Sequence, residues 1–232
     1  MGLSPIQQYH QQIDAQHITV DNGHYSFADK QQLHDIALDQ DLAQLKMLGR
    51  ISDKIECKQT VLLPKYRPIA EQHLASKQVN QHLIFQYVVV WLFDTEQFDT
   101  AIEWALIAIT QGQGLPIAKR TWPAFIADEV LIWSEREAEK GNSVEPYFST
   151  VFEKVMNVWR LNEALTAKYY KFAGLQLLRD ESGKAVATGI GDIEQLHQAK
   201  TLLETAMDIH PKCGAKTQID KIAMRLRALE KM

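Results

Sequence analysis

The spacing of the apolar residues constrains this chain more than any other feature, because it follows a helical repeat over most of the sequence. Between about Phe27 and Thr60, apolar residues recur at steps of three and four, as one face of an α-helix requires. The residues of this face are Leu33, Ile36, Ala37, Leu42, Leu45, Leu48, Ile51 and Ile55. The pattern predicts an all-α protein that opens with a long N-terminal helix, which Gly49 weakens and which Pro64 and Pro68 end. Pro64 also suits the first turn of the next helix.

One later stretch could form either a strand or a helix. Residues Leu83 to Phe93 are almost entirely apolar, and their Val88-Val89-Val90 centre is typical of strands. No alternation and no hairpin partner accompany it, so a buried helix is the better prediction. A helix through Ala101 and Ala108 follows, and glycines, prolines and Asn162 then separate further helices at about 124–140, 145–157, 162–180, 192–209 and 215–231.

Small residues suggest how these helices pair. Ala199, Ala206 and Pro211 keep the small-residue and terminal-proline spacing of a tetratricopeptide repeat, and Gly174 lies where two helices would approach closely. Ala101 and Ala108 keep the same seven-residue step, although no proline follows them at the matching position. Ordinary packing of two helices predicts much the same pattern. We therefore expect helical hairpins that are partly tetratricopeptide-like.

Composition excludes several classes of protein. The 232 residues carry a net charge of −4, with a pI of about 6.1, so any affinity for nucleic acid must come from a local patch. Two cysteines cannot form a disulfide framework or a thiolate zinc site. The N-terminus lacks the apolar core of a signal peptide, and the longest apolar stretch is too short to span a bilayer. We expect an intracellular protein with no membrane partner.

No catalytic motif is present. The phosphate-binding loop of P-loop ATPases is missing, and so are the hydrolase, zinc-protease and kinase signatures. Two acidic clusters could hold a divalent metal for nuclease chemistry, although carboxylates also favour helix starts and solvated faces. These clusters are Asp94, Glu96, Asp99 and Glu103, and Asp128 with Glu129. His10, Asp14 and His17 could share a helix face, but they lie in a polar segment. We assign no catalytic residue, no metal site and no cofactor.

Basic residues give the clearest candidate site. They recur at four-residue steps in the second half of the long helix, whose first half is acidic at Asp29, Asp35, Asp39 and Asp41. Such a stripe could follow DNA phosphates, or it could be a solvated face that complements the helix C-terminus. A second candidate is the basic pair beside Trp122. The candidate DNA-binding residues are Lys46, Arg50, Lys54 and Lys58, followed by Lys119 and Arg120.

From Val61 onward, an ordered series of residues resembles the small terminase subunit of temperate tailed phages, the gpM type, often called the endonuclease subunit. The resemblance covers about three quarters of the chain, and no single motif in it is as specific as a metal signature. It first runs through Leu62-Leu63-Pro64, Trp91-Leu92-Phe93-Asp94-Thr95, Ala101, Ala105, Ala108, Gly112 or Gly114, Pro116, Arg120-Thr121, Pro123 and Glu129-Val130. It resumes at Lys171 to Gly174 and at Leu203, Ala206, Gly214-Ala215-Lys216 and Ile219.

The resemblance implies a viral DNA-packaging factor that acts in the host cytoplasm. Such a subunit binds the packaging (cos) site on concatemeric double-stranded DNA, commonly as a homo-oligomer. A large ATPase subunit then directs cleavage and packaging into the procapsid. Members of the family carry a basic C-terminal tail, whereas this sequence stops at Lys231-Met232, so we expect weaker sequence-independent DNA affinity. Helix faces near Trp104, Trp133 and Trp159 are candidates for self-association.

This interpretation divides the chain into residues 1–62, for DNA binding or oligomerisation, and residues 63–232, a helical-hairpin terminase domain. Two alternatives remain open. The chain could be a metal-dependent endonuclease in its own right, using acidic residues such as Asp94 and Glu129. It could instead be a tetratricopeptide-like scaffold that binds peptides and no DNA.

Overall fold

The computed structural model describes residues 27–117 and 119–231, and it divides the chain into two compact units, Met1–Lys119 and Arg120–Met232. No β-strand occurs in these two described ranges, so the all-α prediction is confirmed. None of the described helices combines the length and apolar character needed to cross a membrane. The two units divide the chain by compactness, and the functional division at residue 62 stays a proposal.

Unit 1 contains five α-helices in its described part. They are α1 (Phe27–Met47), α2 (Ile51–Cys57), α3 (Leu63–Ser76), α4 (Leu83–Asp94) and α5 (Phe98–Thr110), with a π-helical turn (Lys58–Leu62) between α2 and α3. The ambiguous apolar stretch is α4, which confirms the helix prediction. Nine of its twelve residues are buried, so α4 forms the centre of the unit and α1, α3 and α5 pack against it.

Two expectations about the long N-terminal helix are wrong. The helix breaks between Met47 and Ile51, because Gly49 is costly in a helix and the side chain of Leu48 is buried. The two prolines, in contrast, do not end the helical path. Pro64 lies in the first turn of α3, where its missing N–H is no loss, and Pro68 lies inside α3.

A buried carboxylate ties α1 to α3. Asp41 is only 4% exposed, and its Oδ2 accepts hydrogen bonds from Lys65 Nζ at 2.8 Å and from the Tyr66 hydroxyl at 2.7 Å. A buried charge is tolerated when it is paired and hydrogen-bonded in this way. The acidic half of α1 is therefore not wholly a solvated face, since Asp41 fixes the helix onto the core.

The described residues of unit 2 also form five α-helices. They are α6 (Trp122–Glu139), α7 (Tyr147–Asn157), α8 (Glu163–Gln176), α9 (Ile193–Ile209) and α10 (Lys216–Leu229), and short 3₁₀ turns precede α9 and α10 (Ala187–Gly189 and Pro211–Cys213). The prediction that Gly174 marks a close approach is confirmed. A Cβ at Gly174 would lie 2.8 Å from Leu203 Cγ and 3.0 Å from the Ala199 carbonyl oxygen. The pair α8 and α9 is thus held at a distance that only glycine permits.

Gly174→Ala should destabilise unit 2 by about 1–3 kcal/mol, because the added methyl group overlaps Leu203 and the backbone of α9. Chemical denaturation of the full chain measures the change. Gly189→Ala is the matched control, since nothing lies within 4 Å of its Cβ position, and it should change the stability by less than about 0.5 kcal/mol. Equal stability of both variants would contradict the close packing of α8 on α9.

The N-terminus of α4 is capped by a histidine. His82 Nδ1 accepts the Phe85 N–H at 3.1 Å, and its own backbone N–H donates to Gln113 Oε1 at 2.9 Å. The ring lies 4.4 Å from that of His73, measured between centroids. The pKa of His82 is lowered from 6.5 to about 4, mainly by burial and also by the nearby His73 and His34.

The stability of unit 1 should therefore fall as the pH drops from about 6.5 to about 4. In this window the unfolded chain protonates His82 while the folded chain does not, so protons favour unfolding. His82→Asn retains a capping side chain and should flatten the pH dependence of the unfolding free energy. The exposed His197 of α9 offers a control, and His197→Asn should keep the wild-type slope. An unchanged slope in His82→Asn would contradict the neutral, buried histidine.

Candidate nucleic-acid interface

The four basic residues of the predicted stripe do not lie on one helix. Lys46 is in the last turn of α1, Arg50 precedes α2 in an extended conformation, and Lys54 is in the last turn of α2. Lys58 begins the π-helical turn. The expectation of one continuous helical stripe is therefore wrong. The four cations follow one another along residues 46–58, but the break between Met47 and Ile51 means that they do not share one helix face.

Salt bridges separate these cations into two kinds. Lys58 Nζ lies 2.7 Å from Asp94 Oδ2 at the end of α4, and its side chain is only 16% exposed. In contrast, Lys46 and Arg50 are exposed and Lys54 is partly exposed, and within the described part of the chain none of the three forms a salt bridge. Lys58 thus holds the segment onto α4, whereas Lys46, Arg50 and Lys54 remain available for a ligand.

The same segment exposes apolar side chains. Met47 is 86% exposed and Ile51 is 77% exposed, and each directly follows one of the available cations. Lys46 and Lys54 also lie where a helix C-terminus favours positive charge. Residues 46–54 therefore form a mixed basic and apolar surface that could contact phosphates and adjacent apolar groups. We call these residues the basic segment.

The second basic candidate differs in its charge balance. Arg120 Nη1 lies 2.6 Å from Asp128 Oδ2, its Nη2 lies 3.6 Å from Glu129 Oε1, and its guanidinium lies over the Phe125 ring. Two carboxylates thus balance its charge, while Lys119 is exposed. The structure gives Arg120 a structural contact at the start of α6.

Three carboxylates of the two acidic clusters are ion-pair partners. Asp94 accepts Lys58, and both Asp128 and Glu129 contact Arg120. Among residues 27–117 and 119–231, no group of three or more histidine, cysteine or acidic side chains is placed to hold a metal ion. The segment with His10, Asp14 and His17 lies outside the described residues.

The helix faces near the three tryptophans differ, and self-association through them stays a prediction. Exposed apolar side chains lie next to two of them, Ile132 beside Trp133 and Val158 beside the half-buried Trp159. Trp104 is buried in unit 1, with Arg67 over its ring at 5.8 Å and Phe85 at 6.0 Å between centroids. Trp133 is half-buried and packs edge-to-face on Tyr147. Trp104 is therefore a core residue. Met47 and Ile51 are better exposed apolar candidates, and the helical periodicity had placed Ile51 on the apolar face.

One charged site was missed at the sequence level. In unit 2, a cleft of about 370 Å³ is lined by Lys168, Lys171, Arg179 and Lys212, together with Glu135 and Glu139. The sequence signals were the three-residue step from Lys168 to Lys171 and the four-residue step from Glu135 to Glu139. Each step places two like charges on one helix face. Arg179 follows α8 and Lys212 lies in the 3₁₀ turn before α10. No sequence pattern indicates that these two residues line the same cleft.

Comparison with known proteins agrees with the resemblance seen in the sequence. Residues 35–164 match the family model described as phage small terminase subunit. A protein of Haemophilus phage HP1 (strain HP1c1), named "Probable terminase, endonuclease subunit", is 38% identical over 198 residues, which cover 85% of this chain and 70% of that protein. No solved structure matches, so the tetratricopeptide-like detail is not confirmed. By both the family match and the extent of the identity, the chain belongs to the phage small terminase subunit family.

Proposed function

We propose that this chain is a DNA-packaging factor that binds the packaging (cos) site on concatemeric viral DNA through its basic segment. The observation that carries the proposal is the set of three cations without a salt bridge in the described structure, Lys46, Arg50 and Lys54, on a short surface of unit 1. Lysine and arginine side chains that neutralise phosphates supply most of the affinity of such proteins for DNA. Membership in the small terminase subunit family supports the same role.

The proposal assigns catalysis to a large ATPase subunit. The acidic side chains Asp94, Asp128 and Glu129 are engaged by basic residues of this chain, which makes them poor candidates for binding a catalytic metal. This chain would then supply site recognition, and its partner would supply cleavage and translocation into the procapsid. Both would act in the host cytoplasm.

We also propose that the chain works as a homo-oligomer. The exposed Met47 and Ile51 within the basic segment support this, because large apolar side chains at the surface often mark contacts with other molecules. An oligomer would repeat the basic segment, so that several protomers could contact one duplex. Lys119 remains a second candidate contact and Arg120 a weaker one.

Replacing Arg50 and Lys54 with glutamine should weaken binding to packaging-site DNA and reduce its salt dependence. Each neutralised phosphate contributes roughly 0.9 to the slope of log K against log salt, so the slope should flatten by about 1.8 per engaged protomer. Equilibrium binding over a range of salt concentrations, on packaging-site and random duplexes, measures both effects. Helix content should hold, since glutamine is a comparable helix former.

Lys216→Gln with Lys221→Gln is the matched control, because both lysines are exposed on α10 and the net charge changes equally. This variant should keep the wild-type slope. An unchanged slope in the Arg50 and Lys54 variant, with the fold intact, would show that the basic segment is only a solvated surface. Lys119→Gln would then test the loop before α6.

A further inference from the structure

The charged cleft of unit 2 has features of a ligand site that the DNA-binding role does not use. Its volume of about 370 Å³ is within the range of pockets that hold small ligands or short peptide segments. Lys168, Lys171 and the apolar Phe172 and Leu175 come from α8, Glu135 and Glu139 come from α6, and Lys212 comes from the turn before α10. Cations, carboxylates and apolar groups thus line one concave surface.

The charged groups of this cleft do not neutralise one another. In the described part of the chain, no salt bridge joins Glu135 or Glu139 to a lysine or arginine of the cleft. Lys171 Nζ instead donates to the Cys213 carbonyl oxygen at 2.8 Å, while Lys168 and Lys212 are exposed. Opposite charges that line the same cleft without contact leave room for a ligand that carries both.

Arg179 lines the same cleft and is held in place by contacts within unit 2. Its Nη1 donates to the carbonyl oxygens of Gly183 and Ala138, and its guanidinium lies over the Phe172 ring. Its Nε is buried and has no hydrogen-bond partner. The Nη1 and ring contacts fix the guanidinium of Arg179 at the wall of the cleft, where it adds a positive charge to those of Lys168 and Lys212.

We propose that this cleft binds a partner protein through an acidic side chain that lies near a basic residue. The carboxylate contacts Lys168 and Lys212, and the basic residue contacts Glu135 and Glu139. An apolar side chain between the two packs on Phe172 and Leu175. Charge complementarity on both sides fixes the orientation of the bound segment.

A nucleic acid fits this cleft less well. Glu135 and Glu139 occupy successive turns of one face of α6, and they would repel the phosphates that flank any phosphate bound by the lysines. A duplex also presents a convex surface, whereas the cleft is concave and small. The proposal therefore adds a protein-binding site in unit 2 that is independent of DNA binding in unit 1.

The test is a titration of the ¹⁵N-labelled full chain with the capped tripeptide Glu-Leu-Lys, followed by NMR. Saturable shifts should centre on Phe172 and Leu175. The capped peptides Gln-Leu-Lys and Glu-Leu-Glu should bind about tenfold more weakly, because each lacks one charge contact. Lys168→Glu with Lys212→Glu should weaken binding of Glu-Leu-Lys by about tenfold or more, whereas Lys221→Glu, on α10 outside the cleft, should not change it.

A charge reversal on the other wall gives a second measurement. Glu135→Lys with Glu139→Lys should reverse the preference, so that Glu-Leu-Glu binds more tightly than Glu-Leu-Lys. Four outcomes would overturn the proposal: no saturable shift with Glu-Leu-Lys, equal affinity for Gln-Leu-Lys, inorganic phosphate binding as tightly as the peptide, or shifts at Phe172 and Leu175 on addition of a DNA duplex.

Discussion

The burial of α4 is the constraint on which unit 1 depends. A helix with apolar residues on nearly every face must be surrounded, so α1, α3 and α5 pack against it. Two ion pairs then fix the N-terminal helices in register with this core. Asp41 joins α1 to Lys65 and Tyr66 of α3, and Asp94 at the end of α4 holds Lys58. The basic segment is thereby presented on a fixed part of the unit, which would orient its cations for the proposed contact with DNA.

The same ion pairs separate structural charges from available ones. Lys58 and Arg120 are already neutralised by carboxylates of this chain, so exchanging those partners for phosphates would gain little. Lys46, Arg50 and Lys54 form no salt bridge in the described structure, so binding a phosphate would not require them to give up a carboxylate partner. The proposed roles of the two subunits follow from these ion pairs. Asp94, Asp128 and Glu129, which could have held a nuclease metal, are the partners of Lys58 and Arg120. Recognition is proposed for this chain and cleavage for the large subunit.

Much of the fold could be predicted from local patterns. The apolar run from Leu83 to Phe93 predicted a buried helix, and Gly174 predicted a close contact between two helices. Glycines, prolines and Asn162 predicted where the later helices are separated. The structure confirms these predictions. Long-range pairing could not be predicted in this way. Periodicity cannot show that Asp41 is buried, that Lys58 contacts Asp94, or that Arg179 and Lys212 line one cleft, because these partners are 24 or more residues apart.

The central claim is that the basic segment contacts packaging-site DNA. Photo-cross-linking of the full chain to a packaging-site duplex, with the linked peptides identified by mass spectrometry, tests it most directly. The account predicts that cross-links concentrate in residues 46–54, with a weaker set near Lys119, and that both sets decline as salt is raised. Cross-links confined to residues 120–231, on a chain that binds the duplex, would contradict it.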